Sequence, residues 1–101
     1  YNIAGPEVEA ALMTHPAVLE CGVVGAPDAE RGQIVKAYVV PRADTPPSAA
    51  LVRSLQDHVK AAIAPYKYPR AVEFVEALPR TQTGKLRRAA LREMAATGAR
   101  R

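Results

Sequence analysis

The chain has 101 residues, which is enough for one domain and too few for two. Hydrophobic residues make up 49% and charged residues 24%, an ordinary composition for a globular domain. No apolar run approaches the roughly 20 residues that a membrane-spanning helix needs, which excludes such a span within this stretch.

The positive charge of the chain is concentrated toward its C-terminal end. The net charge is +4, and seven of the fourteen basic residues fall within residues 80–101, where Glu93 is the only acidic residue. Such a segment favours a phosphate-bearing partner electrostatically.

The first predicted element is a short helix over residues 5–16, GPEVEAALMTHP. Val8 and Leu12 are spaced so that they share one apolar face of it. Two strands follow, at residues 17–26 and 33–41, and the short turn PDAERG between them indicates an antiparallel pair.

The second half of the chain opens with the most regular helical pattern. Ser48 can cap a helix over residues 49–63, whose apolar residues keep helical spacing for three turns. A third strand is predicted at residues 71–78 and a last helix at residues 86–94. The order α-β-β-α-β-α predicts an α+β domain, with a small antiparallel sheet of about three strands covered by helices.

Cysteine and histidine residues offer little for metal or redox chemistry. Cys21 shares one face of the first strand with Leu19 and Val23, so we expect a buried and unreactive thiol. A single cysteine cannot form an internal disulfide, which fits a reducing, cytoplasmic location. His15 and His58 lie far apart in the sequence, and we expect His58 to be a core-edge residue rather than a metal ligand.

The stretch LPRTQTGKLRR, residues 78–88, holds the side chain of greatest chemical interest, Lys85. It is not a P-loop, because Pro79 stands at the first glycine of G-x-x-x-x-G-K-[ST] and Leu86 replaces the Ser/Thr that would hold magnesium. A cation on a flexible polar loop can instead be inserted into a site formed elsewhere. Opposite an anionic transition state, one such donor is worth about 3–4 kcal/mol. A domain of this size has little room for a closed cleft, so a partner domain would have to provide it.

Two other interpretations of this basic segment stay open on composition alone. The stretch GKLRRAALRE is also typical of a solvated amphipathic helix. The basic tail is also compatible with a stand-alone module that binds nucleic acid in a salt-sensitive way. Against that module, the few aromatic residues do not interleave with the basic ones, and no recognition pattern is present.

Beyond these patterns, the whole chain resembles the small C-terminal domain of acyl-adenylate-forming enzymes, which include acyl- and aryl-CoA ligases, peptide-synthetase adenylation domains and luciferases. Three stretches carry the resemblance in the family's order: YNIAGPEVEAALMTHPAV, VVGAPDAERGQIVKAYVV and PYKYPRAVEFVEALPRTQTGKLRR. The last one contains the family's terminal motif, P-[RK]-T-x-[TS]-G-K-[IL]-x-R. The stretches YNIAGPEVE and APYKYP resemble most closely the benzoate and 2-aminobenzoate CoA ligases.

The resemblance implies a two-step reaction in a longer enzyme. A carboxylate and Mg-ATP give an acyl-adenylate and pyrophosphate, and coenzyme A then displaces AMP to give a thioester. The C-terminal domain would pivot between the two steps. Lys85 would act as the catalytic lysine of the first step, and Tyr1, Asn2 and Ile3 would line the pantetheine path in the second.

The resemblance also implies contacts for the nucleotide end of coenzyme A. Tyr66 is expected to stack on adenine and Arg70 to meet a phosphate. Lys60 and Arg31 match further positions that some members use. Asn2 stands where many relatives have arginine.

On the same resemblance, residues 1–101 are a single domain, the C-terminal mobile domain of a two-domain ligase. The sequence opens on YNIAG without an initiator Met. The ATP-binding loop, the magnesium ligands and the pocket for the carboxylic acid would belong to a large N-terminal domain, so we expect this chain alone to be inactive. A protein lysine acetyltransferase is a further expected partner, because acetylation would remove the charge of Lys85. A peptide-synthetase-type adenylation domain is the alternative within the family, disfavoured by the end of the sequence at Arg101.

Overall fold

The computed structural model describes residues 5–98, which form three helices and one three-stranded sheet. In chain order the elements are α1 (Gly5–Met13), β1 (Val18–Asp28), β2 (Gly32–Pro41), α2 (Ala49–Ala62), a 3-10 turn (Pro65–Lys67), β3 (Ala71–Phe74) and α3 (Arg88–Gly98). Helices α1 and α2 pack on one face of the sheet and α3 packs on the other. The predicted α+β architecture is confirmed. Strand β3 is shorter than its predicted span, and α3 begins and ends later than predicted.

The sheet is mixed, whereas the sequence suggested a wholly antiparallel one. Strands β1 and β2 are antiparallel, with Val23 opposite Ala37. Strand β3 runs parallel to β2, with Val72 also opposite Ala37. The physical reason is the connection: α2 crosses one face of the sheet and returns the chain to the end where β2 began, and such a crossover joins parallel strands.

Two hydrophobic clusters cover the two faces of the sheet. The cluster under α1 and α2 includes Leu12, Leu55 and Val59, and none of the three exposes more than a trace of surface. The cluster under α3 is built around Tyr38 and Leu91. The central strand β2 is therefore buried on both faces, which explains its nearly continuous apolar sequence.

One predicted core position of β1 is wrong. Leu19 is 45% exposed, whereas Cys21 and Val23 face the cluster under α1 and α2. The register of β1 against β2 is irregular between Val18 and Glu20. This irregularity breaks the strict alternation of the strand, so Leu19 turns away from the core.

Helix α2 forms as predicted. The Oγ of Ser48 accepts a hydrogen bond from the backbone N–H of Leu51 at 3.0 Å, which caps the first turn. At the other end, the N–H of Ile63 donates to the carbonyl of Val59 at 3.0 Å. The helix buries one apolar stripe and leaves Lys60 in its last turn, where a cation complements the helix dipole.

Candidate functional site

Lys85 lies on a short exposed loop whose backbone is nonetheless well defined. The loop is closed at its base by an antiparallel bridge between Arg80 and Leu86. Within it, Gly84 N–H donates to the carbonyl of Thr81 at 3.0 Å, and Thr81 N–H donates to the carbonyl of Lys85 at 2.8 Å. Gly84 has φ 89°, a left-handed conformation that glycine adopts without steric cost and that commonly follows a tight hairpin turn.

Side chains of the loop support this turn and leave the lysine exposed. Thr81 Oγ1 accepts a hydrogen bond from the backbone N–H of Lys85 at 3.1 Å and lies 3.0 Å from Thr83 Oγ1. Within residues 5–98, no group accepts a hydrogen bond from the Nζ of Lys85. The backbone of Lys85 is therefore held in the turn while its side chain is exposed.

A first arginine anchors the loop to β1. Arg80 Nε donates to Glu20 Oε1 at 3.1 Å, and Arg80 Nη2 contacts the same oxygen. Arg80 Nη1 donates to the backbone carbonyl of Gly84 at 2.9 Å. One guanidinium thus joins the residue immediately before Lys85 to the sheet.

A second arginine anchors the segment that follows the loop. Arg88 donates two hydrogen bonds to the carboxylate of Glu9, at 2.5 and 2.7 Å, and a third to the carbonyl of Val23 at 3.2 Å. Hydrogen bonding to Glu9 raises the pKa of Arg88 above its ordinary value. The first residue of α3 is therefore held to both α1 and β1.

Close packing of α3 on β1 also depends on a glycine. A Cβ at Gly22 would lie 2.5 Å from Leu91 Cδ1 and 3.1 Å from Leu86 Cδ2. Leu86, the residue after Lys85, is packed against the cluster under α3. The absence of a side chain at Gly22 lets the helix and the end of the lysine loop lie directly on the strand.

A second candidate site is a cleft of about 360 Å³ beside the 3-10 turn. Arg31, Tyr66, Tyr68 and Arg70 line it, and no acidic residue is among its lining residues. Tyr66 is 74% exposed. Three of the four residues that the resemblance assigned to the nucleotide end of coenzyme A therefore lie at one cleft: Arg31, Tyr66 and Arg70.

Tyr68 organises the basic side chains of this cleft, although sequence reasoning did not single it out. Its hydroxyl accepts a hydrogen bond from Arg70 Nη1 at 2.8 Å, and the guanidinium carbon of Arg70 lies 5.0 Å from the ring centroid. Lys60 Nζ lies 4.2 Å from the centroid of the same ring. These are cation–π distances, so Tyr68 holds two cations near the cleft. The second tyrosine of PYKYPR is the sequence signal for this role.

The lysine loop and the cleft lie toward opposite ends of the β1–β2 hairpin. Glu20, which binds Arg80, is paired with Val40. The carbonyl of Val35 accepts the backbone N–H of Arg70 at 3.0 Å. Val35 and Val40 are five positions apart on the extended strand, which corresponds to about 17 Å.

The other residues that the sequence analysis singled out are three at the N-terminus and one cysteine. Tyr1, Asn2 and Ile3 fall outside residues 5–98. Burial, followed by the charge of Glu9, raises the pKa of the Cys21 thiol to about 12, which keeps it protonated and agrees with an unreactive cysteine.

Neither histidine of the described range belongs to a metal cluster. His58 is half-buried at the α1–α2 contact, with Nε2 2.6 Å from Thr14 Oγ1, which confirms it as a core-edge residue. Between residues 5 and 98 there is no group of three or more potential metal-ligating His, Cys, Asp or Glu side chains. No helix in the same range is long and apolar enough to cross a membrane.

Comparison with known proteins decides the family. The AMP-binding enzyme C-terminal domain matches residues 7–85, a range that ends on the loop lysine. The chain belongs to this family. Both the exposed lysine loop and the basic cleft are therefore features of an AMP-binding enzyme C-terminal domain.

Individual relatives of this AMP-binding C-terminal domain are acyl-CoA ligases and synthetases. The chain is 56% identical over 93 residues to the uncharacterized acyl-CoA ligase YtcI of Bacillus subtilis (strain 168), an alignment that covers 92% of this chain and 18% of the relative. It is similar to the acyl-CoA synthetase of Brucella canis, with a TM-score of 0.92 and 40% identity over 100% of this chain and 18% of that one. It is also similar to the anthranilate CoA ligase AuaEII, solved with anthranoyl-AMP, with a TM-score of 0.90 and 43% identity over 98% of this chain and 19% of that one.

The chain spans less than a fifth of the length of each of these proteins. Their names include general acyl-CoA ligases as well as an aromatic one. The family assignment is thus confirmed, while the benzoate and 2-aminobenzoate branch is one of several neighbouring branches.

Proposed function

We propose that this domain is the mobile C-terminal domain of a longer, AMP-forming acyl-CoA ligase whose large ATP-binding domain lies outside residues 1–101. The observation that carries the proposal is the exposed ammonium of Lys85 on a loop anchored on both sides. The names of the relatives support the reaction class. An exposed amine with no hydrogen-bond acceptor among residues 5–98 suits a group that is delivered to another domain.

In the first half-reaction, a carboxylate oxygen of the acid attacks the α-phosphorus of ATP, and pyrophosphate leaves. Negative charge is concentrated around the carboxylate and the α-phosphate, and Lys85 stabilises it by position and charge rather than by proton transfer. The resemblance assigns the Mg²⁺ that accompanies ATP to the large domain, and no step here passes through it.

In the second half-reaction, the thiol sulfur of coenzyme A attacks the acyl carbon, and AMP leaves. The basic cleft suits the nucleotide end of coenzyme A in its chemistry: Arg70 and Arg31 supply donors for phosphate, and exposed Tyr66 supplies an aromatic face for adenine. Lys60 does not line the cleft itself, and its ammonium ion lies over the ring of Tyr68, which does. The pantetheine path along Tyr1, Asn2 and Ile3 rests on the resemblance alone.

The separation of the two sites supports a domain that changes orientation between the steps. The lysine loop is anchored near one end of the β1–β2 hairpin and the cleft lies at the other. A rigid domain can present only one of these two ends to the reaction centre of the large domain at a time. Rotation of the domain would withdraw Lys85 and bring the cleft into use.

We further propose that the acid is aromatic, as in the anthranilate CoA ligase that the chain resembles. The test is ATP–pyrophosphate exchange by the full-length protein with 2-aminobenzoate, benzoate and straight-chain acids of several lengths. Exchange that is fastest with the aromatic acids supports the proposal. Faster exchange with straight-chain acids contradicts the aromatic substrate but leaves the ligase in place. No exchange, together with salt-sensitive binding of nucleic acid, would instead support a basic binding module.

Two narrower proposals concern the chain by itself and its modification. Residues 1–101 alone should form no thioester from ATP, acid and coenzyme A, and thioester formation would contradict the assignment of the ATP site to another domain. The exposure of Lys85 also suits a protein lysine acetyltransferase, because acetylation would remove its charge. Mass spectrometry that finds Lys85 unmodified in cells with an active acetyltransferase would contradict this partner.

A further inference from the structure

We propose that the Arg80–Glu20 ion pair positions Lys85, so that the domain delivers its lysine on a preformed loop rather than on a flexible one. This inference rests on the proposed adenylation role of Lys85. Arg80 and Glu20 are positioning residues, since neither is assigned a contact with substrate.

Arg80 is placed to hold the backbone of Gly84, the residue before Lys85. Arg80 stands at one side of the bridge that closes the loop, and its Nη1 donates to the carbonyl of Gly84. That carbonyl belongs to the peptide bond whose N–H is the amide of Lys85. The same guanidinium binds Glu20, a residue of β1, and so relates the lysine peptide to the rigid sheet.

All three nitrogens of the Arg80 guanidinium have partners inside the domain. Nε and Nη2 contact Glu20, and Nη1 contacts Gly84. A guanidinium used as a direct phosphate ligand needs its paired donors turned outward to form a fork. The arrangement therefore favours an internal support over a second catalytic cation.

The pair is also poorly suited to a role in overall stability. Its side chains are 39% and 36% exposed, and ion pairs with this exposure contribute little to folding. The reaction rate is more sensitive than folding stability to the position of Lys85. A displacement of about 1 Å of a group near the reacting atoms can cost about 100-fold in rate. An exposed pair of small energetic value can thus have a large kinetic effect.

The test uses the full-length protein and measures the two half-reactions separately. Glu20→Gln and Arg80→Gln each remove one charge of the pair, and the double variant removes both. We expect each single variant to lower kcat for pyrophosphate release by about 10- to 100-fold, with KM for ATP little changed. Thioester formation from preformed acyl-adenylate should be unchanged. The double variant should fall no further than Arg80→Gln, because both changes remove one interaction.

Two controls separate positioning from other roles. Glu73→Gln removes the cross-strand pair with Lys36, which shares no residue with the lysine loop or the Arg80–Glu20 pair, and should leave both half-reactions unchanged. In a Lys85→Ala background, Arg80→Gln should have no further effect on adenylation, because there is no lysine left to position.

Each opposing result has its own meaning. A rise in KM for ATP in Arg80→Gln without any effect of Glu20→Gln would make Arg80 a direct ligand and overturn the inference. Equal losses in both half-reactions, with a lower melting temperature, would make the pair merely structural and also overturn it. Normal adenylation in both variants while Lys85→Ala is inactive would overturn the inference alone. Normal adenylation in Lys85→Ala would instead overturn the proposed function.

Discussion

Glu9 and Arg88, which are 79 positions apart in the sequence, form a two-pronged ion pair with hydrogen bonds of 2.5 and 2.7 Å. The carboxylate of Glu9 also accepts the backbone N–H of Val23 at 2.7 Å, and Arg88 also donates to the carbonyl of Val23. The first and last helices are therefore tied to the same residue of the sheet. Lys85 lies three residues before this attachment.

Replacing Arg88 with alanine should destabilise the domain by about 2–3 kcal/mol, because the Glu9 carboxylate is only 16% exposed and would lose its charged partner. Urea unfolding of the 101-residue chain measures this loss. The matched control is Lys67→Gln, which disrupts a pair that leaves behind a Glu7 side chain 44% exposed and should cost far less. Equal losses in the two variants would contradict the structural role of the Glu9–Arg88 pair.

Substitution of Gly22 with alanine should destabilise the domain by about 1–3 kcal/mol, because the new methyl group would collide with Leu91 in the packed core. Gly25→Ala on the same strand is the control. The three atoms nearest to its Cβ would all belong to the side chain of Gln33, which is exposed and can move aside. The unfolding free energies of the two variants test whether α3 lies directly on β1. A smaller loss of stability in Gly22→Ala than in Gly25→Ala would contradict this close approach.

Acidification should weaken the contact between α1 and α2 through His15. Its Nδ1 accepts the backbone N–H of Ala17 at 3.0 Å, and its ring lies edge-on to His58. Burial, and then the charge of His58, lower the pKa of His15 below the ordinary value of 6.5. The unfolded chain therefore binds more protons than the folded one just below pH 6.5, so stability is present above that pH and is lost as the pH falls through the lowered pKa.

Urea midpoints at several pH values, from about one unit above the ordinary histidine pKa to about 1.5 units below it, measure this effect. The variant His15→Gln lacks the titrating ring and should lose less stability over the same interval. An identical pH dependence in the variant and the wild type would show that His15 does not contribute.

Replacing Arg70 with alanine should raise KM for coenzyme A by about 10- to 100-fold in the full-length protein, the value of a charge-assisted hydrogen bond. Pyrophosphate release should be unaffected, because we propose that the cleft binds coenzyme A and so acts only in the second half-reaction. Tyr68→Phe should have a smaller effect in the same direction, since it removes the hydroxyl that accepts from Arg70 Nη1. Arg53→Ala, an exposed position on α2, is the control. If Arg70→Ala instead raised KM for ATP, the cleft would act in the first half-reaction, which would contradict its proposed role.

Local signals in the sequence predicted most of the fold. The cap at Ser48 and the helical spacing of α2 are determined within a few residues, and both are confirmed. The direction of β3 was not predictable in this way, because it depends on where α2 crosses the sheet. The exposure of Leu19 depends on an irregular register that no alternating pattern reveals.

In the candidate sites, too, the features within one short stretch of sequence were predictable, and the contacts between distant residues were not. The sequence singled out Lys85, Tyr66 and Arg70 because they lie within recognisable motifs. The partners of Arg80 and Arg88 were not foreseen, because Glu20 and Glu9 are 60 and 79 positions away and only folding brings them together.

The central claim is that Lys85 acts in the first half-reaction and not in the second. The most direct test compares wild type with Lys85→Ala in the full-length protein, and measures pyrophosphate release and thioester formation from preformed acyl-adenylate separately. Arg87→Ala, the exposed basic neighbour, is the control for loss of charge in the segment. We predict that pyrophosphate release falls by about 10²–10³ in Lys85→Ala alone, while thioester formation persists. Unchanged rates in both half-reactions would contradict the account and leave Lys85 as part of a solvated basic surface.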